Sequence, residues 1–330
     1  MRTLFARVAL TALALVLAGS AGARTSDGGQ GGITYAIIGD TPYGAAQVAD
    51  FPRLVSALNA DPDVELTVHL GDIKDGASLC SDAYFAGMRA NFDTLVDPLV
   101  VTPGDNEWTD CHRPAAGGYI PTERLARFRD VFYPRPRQSL GQRRKSLVTQ
   151  ADLPGSSTFV ENRLWKAQKV VFATVHVVGS NNDLVPWFGA AETPAQRAER
   201  LAEYTARLEA TLDWLDRAFA FAADEDARGV VVAMQADMWF STSLGFAEIV
   251  QRLADRAREF GKPVLLLEGD SHRFTVDSPL ASGSPLHGVM TAAPNVTRIV
   301  VEGQTTSEWL KLRIHPNAAQ LFTWTRVPVL

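Results

Sequence analysis

The sequence predicts an α/β protein built on a mostly parallel β-sheet. Two observations support this fold class: short apolar runs of strand length alternate with longer segments of helical spacing, and several of the apolar runs stop at a Gly-Asp pair. In such open sheets, ligands bind beyond the carboxyl ends of the strands. We see neither an internal repeat nor a clear linker, so we expect one domain over residues 33–330.

The first half of the chain supplies three strands and two helices. The predicted strands cover residues 33–38, 64–70 and 99–102. They end at Gly39-Asp40, Gly71-Asp72 and Pro103-Gly104-Asp105. The predicted helices cover residues 52–59 and 81–95. Residues 134–157, rich in Pro, Arg, Gln, Ser and Gly, form either an ordered excursion or a mobile loop.

The second half continues the alternation and ends in strands. We predict strands at residues 170–178, 229–234 and 264–267, and helices at residues 194–222 and 246–260. The tail adds strands at residues 296–301, 309–314 and 321–327. The apolar–polar alternation of residues 309–314 is typical of a half-exposed antiparallel strand.

Composition argues against nucleic acid as the main partner. The chain contains 32 Lys and Arg residues against 37 Asp and Glu residues, a formal net charge of −5. Binding to phosphate backbones needs clustered basic residues. The one basic cluster, Arg143-Arg144-Lys145, is short, and we interpret it as a solvated loop.

The N-terminus has the pattern of an export signal over residues 1–23. Arg2 and Arg7 precede the apolar run 8–18, and the small residues 21–23 form a cleavage pattern. The run is shorter than the roughly 20 residues that a membrane span needs, so we expect no membrane anchor after cleavage. Residues 24–32 are predicted to be flexible. The mature protein is therefore expected in the periplasm or the medium.

The chain contains two cysteines, Cys80 and Cys111. An even number of cysteines in an exported protein suggests a disulfide bond. Two free, buried thiols are the alternative.

Metal-capable side chains recur where predicted strands end. They are Asp40, Asp72, Asp105, Gln235, Asp270 and the nearby His272. One polar residue at a strand end is commonplace, because such residues also form turns and helix caps. A set this large, rich in oxygen donors, instead indicates a site for a hard divalent cation.

The order of these motifs resembles that of the calcineurin-like metallophosphoesterases. That family carries Asp-x-His, Gly-Asp-x-x-Asp, Gly-Asn-His-Glu/Asp, a lone His after a strand, and Gly-His-x-His. This chain carries, in the same order, Gly39-Asp40-Thr41-Pro42-Tyr43, Gly71-Asp72-Ile73-Lys74-Asp75, Gly104-Asp105-Asn106-Glu107, Gln235 and Gly269-Asp270-Ser271-His272. The resemblance spans nearly all of the mature chain. It implies a four-layer α/β/β/α sandwich of two mixed sheets flanked by helices.

The resemblance also implies a dinuclear metal site. By position, one cation would be bound by Asp40, Asp72 and His272, and the other by Asp72, Asp105, Gln235 and Asp270, with Asp72 bridging. In such sites, two cations share a hydroxide and clamp a phosphoryl group. Four histidines of the family pattern are replaced here, by Pro42, Asn106, Gln235 and Asp270. The oxygen-rich set favours Mn, Mg, Ca or Fe over Zn.

The activity that the resemblance implies is metal-dependent hydrolysis of a small phosphorylated substrate. Asn106 replaces the histidine that assists the leaving group, and His112 and His176 are candidate acids. His176 lies inside an apolar strand, so a buried core histidine is the favoured interpretation of that residue. Tyr43, Asn106 and Asn182 are candidates for substrate binding. Lys74, in the second motif, is expected to be solvent-exposed.

Several alternatives stay open. The altered ligand set is also compatible with a non-catalytic relative that acts as a binding protein of the cell envelope. A serine hydrolase built on Ser271 is disfavoured, because the residue lies late in the chain and no Asp-x-x-His pair follows it. The sequence leaves monoester, diester and pyrophosphate substrates open, and also the oligomeric state.

Overall fold

The structure is a computed structural model that describes residues 31–241 and 244–329. The strands, numbered along the chain, are β1 (Ile33–Ile38), β2 (Val64–His69), β3 (Leu99–Val101), β4 (Val148–Thr149), β5 (Arg163–Ala167), β6 (Val170–Thr174), β7 (Gly229–Ala233), β8 (Val264–Glu268), β9 (Thr275–Asp277), β10 (Val296–Val300), β11 (Glu308–Ile314) and β12 (Phe322–Pro328). The predicted signal peptide and most of the predicted flexible segment lie outside the described residues.

The strands form two mixed sheets. The first has the order β12–β11–β1–β2–β3, and the second has the order β4–β5–β6–β7–β8–β10–β9. In the first sheet, β1, β2 and β3 are parallel, whereas β11 runs antiparallel to β1 and β12. In the second, β6, β7, β8 and β10 are parallel, and β4, β5 and β9 are antiparallel additions at the edges. The parallel strands therefore carry the polar strand ends that the sequence indicates.

Helices cover the outer faces of both sheets. The longer helices are Gly44–Ala60, Asp82–Phe92, Pro121–Phe132, Pro194–Asp224 and Ala247–Phe260. The first three share an apolar core with the first sheet, and the last two share another with the second sheet. A third core joins the inner faces of the two sheets, where side chains such as Ile37 and Val68 share one cluster with Phe172 and Val231. This arrangement confirms the predicted four-layer α/β/β/α sandwich.

Local sequence signals explain several helix ends. Ser81 caps the second helix by accepting a hydrogen bond from the backbone N–H of Tyr84. Thr193 and Gln196 form a reciprocal capping box before the long helix, and Pro194 occupies its first position. Among the described helices, none is long and apolar enough to cross a membrane.

The structure departs from the predicted elements in several places, among them the short edge strands β4 and β9, which were not predicted. The helix predicted at 52–59 begins at Gly44 and runs through Pro52. Its first turns are exposed or partly exposed and carry no apolar periodicity, so the hydrophobic pattern did not indicate them. The helix Pro121–Phe132 and strand β5 were not predicted. Strand β11 is antiparallel as expected, but it is mostly buried rather than half-exposed.

Candidate functional site

The predicted metal-capable residues gather at the carboxyl ends of the parallel strands. Asp40 follows β1, Asp72 follows β2, Asp105 follows β3, and Asp270 with His272 follows β8. The backbone of Asp40, Asp72, Asp270 and His272 is left-handed, with φ angles of 50°, 57°, 71° and 55°. Non-glycine residues rarely adopt this conformation, and such strained positions cluster at functional sites.

Asp40, Asp72 and His272 form a compact group that could hold a metal ion. One ligand atom from each lies within 4.8 Å of the others. His272 Nε2 is 3.4 Å from Asp40 Oδ1. The backbone N–H of Asp270 donates to both carboxylate oxygens of Asp40, each at 3.0 Å, and so fixes the orientation of that carboxylate. Both aspartates are buried, whereas His272 is partly exposed.

Asp72 is held by three donors. The hydroxyl of Tyr43 and the side-chain amide of Asn106 both donate to Asp72 Oδ2, the latter at 2.6 Å. The backbone N–H of Asn106 donates to Asp72 Oδ1 at 3.1 Å. Gly104 packs so closely that an added β-carbon would lie 2.0 Å from Asp72 Oδ1, so the site requires glycine here. The predicted substrate contacts Tyr43 and Asn106 therefore border the predicted metal ligand Asp72.

A second group of polar residues surrounds Asp105. Gln235 Nε2 donates to Asp105 Oδ1 at 3.2 Å, and its Oε1 accepts from the backbone N–H of Gly179 at 2.7 Å. The hydroxyl of Ser180 lies 2.9 Å from Asp105 Oδ2. A β-carbon on Gly179 would lie 2.7 Å from an oxygen of both Asp105 and Asp270, so the backbone at Gly179 presses against the two carboxylates.

The site concentrates negative charge away from water. Burial raises the pKa values of Asp40, Asp72 and Asp270, and the charge of Asp105 raises all three further. Hydrogen bonding to His272 partly offsets this shift at Asp40. Burying several carboxylates together is costly unless cations compensate them, so the arrangement fits a bound metal ion.

Two further carboxyl groups border the site. Burial raises the pKa of Glu107 to about 7, although this side chain accepts hydrogen bonds from the backbone N–H groups of Ile73 and Gly104. Burial, and then the charge of Asp105, raises the pKa of Asp110 to about 7. Through its hydrogen bonds to Ile73 and Gly104, Glu107 links the loops that carry the second and third motifs.

Among the residues that the structure describes, Lys74 supplies the one buried ammonium group near these carboxylates. It is fully buried, which corrects the expectation of an exposed lysine. Its Nζ donates to the carbonyls of Asp75 and Asn106 at 2.7 and 2.8 Å, and burial lowers its pKa. The side chain thus ties the second motif to the third.

The predicted disulfide bond between Cys80 and Cys111 is confirmed. The two α-carbons are 5.8 Å apart. Both half-cystines are fully buried, and their sulphur atoms lie 3.5 and 3.7 Å from the carbonyl oxygen of Asn106. The bond therefore supports the backbone of a site residue.

His112 lies in the loop beside the site. Its Nδ1–H donates to the carbonyl of Thr109 at 2.6 Å, and its ring contacts the edge of Phe188. Burial lowers the pKa of His112, which favours the neutral ring. With Nδ1 engaged, Nε2 is the atom through which this histidine can exchange a proton.

Asn182 is placed differently from the prediction. Its side chain is fully buried. Its amide nitrogen donates to the carbonyl of Gly245 at 3.1 Å, and its amide oxygen accepts from Arg207. Because both ends of the amide have internal partners, Asn182 orders its own turn rather than facing a ligand.

Sequence reasoning missed Ser180 and Asp110. The Ser180 hydroxyl lies 2.9 Å from oxygens of both Asp105 and Asp110. It reaches them because residues 180–183 form a left-handed turn, with φ between 51° and 66°. The signal for that turn is Asn181-Asn182-Asp183, since Asn and Asp are the side chains that best tolerate left-handed backbone.

Comparison with solved structures finds similar chains at low identity. The chain is similar to GAP50, the anchor in the inner membrane complex of Plasmodium, with 8% identity and a TM-score of 0.49, over 90% of this chain and 85% of that one. It is also similar to the purple acid phosphatase PPD1 from yellow lupin (Lupinus luteus) seeds, with 10% identity and a TM-score of 0.46, over 91% and 54% of the two chains. A third similar structure is TT1561 of Thermus thermophilus, with 13% identity and a TM-score of 0.41, over 91% and 100%.

No curated protein sequence matches the chain. The family model for calcineurin-like phosphoesterases matches residues 33–216, which is more than half of the chain. This segment holds the first three motifs, including Asp40, Asp72 and Asp105. The chain therefore belongs to the calcineurin-like phosphoesterase family.

Proposed function

We propose that this protein hydrolyses phosphate esters with the help of a divalent cation held by Asp40, Asp72 and His272. The observation that carries the proposal is the convergence of these three donors within 4.8 Å, with both aspartates buried. A cation there would offset the burial and the charge of Asp105, which raise the pKa values of the two aspartates. It would polarise a phosphoryl oxygen and neutralise developing charge.

The donor set suits a harder cation than zinc. Two carboxylates and one imidazole supply more oxygen than nitrogen, and no cysteine thiolate competes because both cysteines are joined. Oxygen donors favour Mn²⁺, Mg²⁺ or Ca²⁺, and the mixed set also suits Fe.

The side chains around Asp72 would bind and orient the ester. The Asn106 amide now donates to Asp72 and to the Tyr43 hydroxyl, at 2.6 and 2.7 Å. A phosphate oxygen could take over one of these hydrogen bonds. Asn106 cannot supply a proton to a leaving group. We assign that role to His112 in its imidazolium form, which carries a proton on Nε2, because the neutral ring carries its proton on Nδ1. Otherwise the substrate carries a good leaving group.

The proposed substrate is small and phosphorylated. The net acidity of the chain disfavours nucleic acid as the main partner. We further propose that residues 33–330 act as one catalytic domain and that the protein works in the periplasm or the medium. The disulfide bond supports that location, because such bonds persist in oxidising compartments.

Hydrolysis of p-nitrophenyl phosphate and bis-p-nitrophenyl phosphate tests the proposal. Turnover should require added Mn²⁺, Mg²⁺, Ca²⁺ or Fe²⁺, and should be lost in Asp72→Asn. Asp226→Asn is the matched control, because this aspartate is exposed and pairs with Lys262. Turnover that survives Asp72→Asn, or that is unaffected by removing metal, would contradict the proposal.

A non-catalytic envelope binding protein is the second candidate. It is favoured by the replacement of the leaving-group histidine with Asn106, whose amide is already bound to Asp72. A folded protein that binds a phosphate monoester with Mn²⁺ present, yet turns over neither test ester, would support this function instead.

A further inference from the structure

The second cation position of the dinuclear pattern is altered in this chain. The resemblance places that ion among Asp72, Asp105, Gln235 and Asp270. Gln235 stands where the family has a histidine, and it is completely buried. Whether the position can bind an ion therefore depends on which atom of the Gln235 amide faces the carboxylates.

The orientation of this amide is set by its partners. Its Oε1 accepts from the backbone N–H of Gly179 at 2.7 Å, and its Nε2 donates to Asp105 Oδ1 at 3.2 Å. Turning the amide over would set its NH₂ group against the N–H of Gly179 and its oxygen against a carboxylate, losing both hydrogen bonds. The atom aimed at Asp105 is therefore an amide nitrogen, which has no lone pair for a cation.

Further internal contacts border this position. Asp105 Oδ2 lies 2.9 Å from the hydroxyl of Ser180, which the left-handed turn at 180–183 holds in place. Asp72 Oδ2, which would bridge two ions, accepts from both Tyr43 and Asn106. The backbone of Gly179 leaves no room for even a methyl group beside Asp105 and Asp270. The feature that sets this position apart from a metal site is therefore the amide nitrogen of Gln235 against Asp105, while the other contacts only border it.

The first position shares Asp72 with the second, and both oxygens of Asp40 accept from the backbone N–H of Asp270. It differs in its third group, because an imidazole nitrogen has a lone pair for a cation where the second position has the amide nitrogen of Gln235. His272 presents a ring nitrogen 3.4 Å from Asp40 Oδ1, and its side chain is partly exposed to solvent. We propose that this protein is a single-cation member of its family, in which Gln235 fills the second metal position by hydrogen bonding to Asp105. This inference rests on the proposed cation site, but not on catalytic turnover.

The test is a count of bound ions rather than an activity. Metal-free protein is titrated with Mn²⁺ and examined by native mass spectrometry and by elemental analysis after dialysis. We expect one ion per wild-type chain. Gln235→Glu keeps the size of the side chain and turns the NH₂ group into an oxygen, so we expect it to bind two ions. Gln235→His restores the family ligand and should also bind two.

The control makes the same chemical change away from the site. Gln196→Glu lies in the exposed capping box of the long helix, where either residue type can cap, so it should still bind one ion. Circular dichroism verifies that each variant is folded.

The outcomes are distinct. Two ions in the wild type, or a single ion in both folded Gln235 variants, would overturn the inference. No ion in the wild type would overturn both this inference and the proposed cation site. One ion with no turnover of any ester would count against the proposed hydrolysis alone.

Discussion

The disulfide bond between Cys80 and Cys111 should contribute a large share of the stability of this protein. The two residues are 31 positions apart. On the chain-entropy model, closing a loop of this length stabilises the folded state by about 3.7 kcal/mol. We therefore predict that Cys80→Ser with Cys111→Ser lowers the free energy of unfolding by about 3–4 kcal/mol, measured by urea denaturation.

A second measurement separates the cross-link from the packing of the sulphur atoms. Wild-type protein kept in reductant retains both sulphurs but loses the bond. If loop closure is the cause, it should be destabilised about as much as the double variant. A loss below about 1 kcal/mol in either sample would refute the entropic reasoning, because typical native disulfides contribute about 2–5 kcal/mol.

Three other predictions concern the site. Asp40→Asn should weaken Mn²⁺ binding at least about tenfold in isothermal titration calorimetry, because it removes a charged ligand; unchanged affinity would place the cation elsewhere. Gly104→Ala should lower the free energy of unfolding by about 1–3 kcal/mol in urea, because its β-carbon would lie 2.0 Å from Asp72 Oδ1; an unchanged value would show that the loop yields easily. In metal-free protein, the free energy of unfolding should rise as pH falls from about 8 to 6.5, by up to about 1.4 kcal/mol per pH unit and proton. The reason is that Glu107 and Asp110 have folded-state pKa values of about 7, above those of unfolded carboxyls, so the folded protein binds protons that the unfolded chain does not. Glu107→Gln should make the free energy of unfolding depend less steeply on pH. An equal slope in this variant would contradict the raised pKa of Glu107.

The strand ends could be predicted from sequence because each carries two signals at once. The apolar runs that form β1 and β2 stop at Gly39-Asp40 and Gly71-Asp72, so strand length and polar placement agree. In a parallel sheet these carboxyl ends lie at one edge, regardless of the conformation of the connecting loops. The four-layer order, in contrast, was predicted only from the family resemblance, because hydrophobic periodicity does not indicate how two sheets pack against each other.

The orientation of individual side chains could not be predicted from the sequence. Gln235 was predicted as an oxygen ligand, yet the N–H of Gly179 takes its oxygen and leaves the nitrogen facing Asp105. That N–H directly precedes the left-handed turn at residues 180–183, a backbone feature with only a weak sequence signal. Lys74 was expected at the surface because lysines seldom lose their hydration, but two backbone carbonyls replace the water here.

The most direct test of the proposed cation site is anomalous diffraction from crystals grown with Mn²⁺. We predict one strong anomalous peak per chain, between the carboxylates of Asp40 and Asp72 and the ring of His272. A peak at any other group of residues, or no peak while these three side chains keep their present contacts, would contradict the cation site on which the proposed hydrolysis depends.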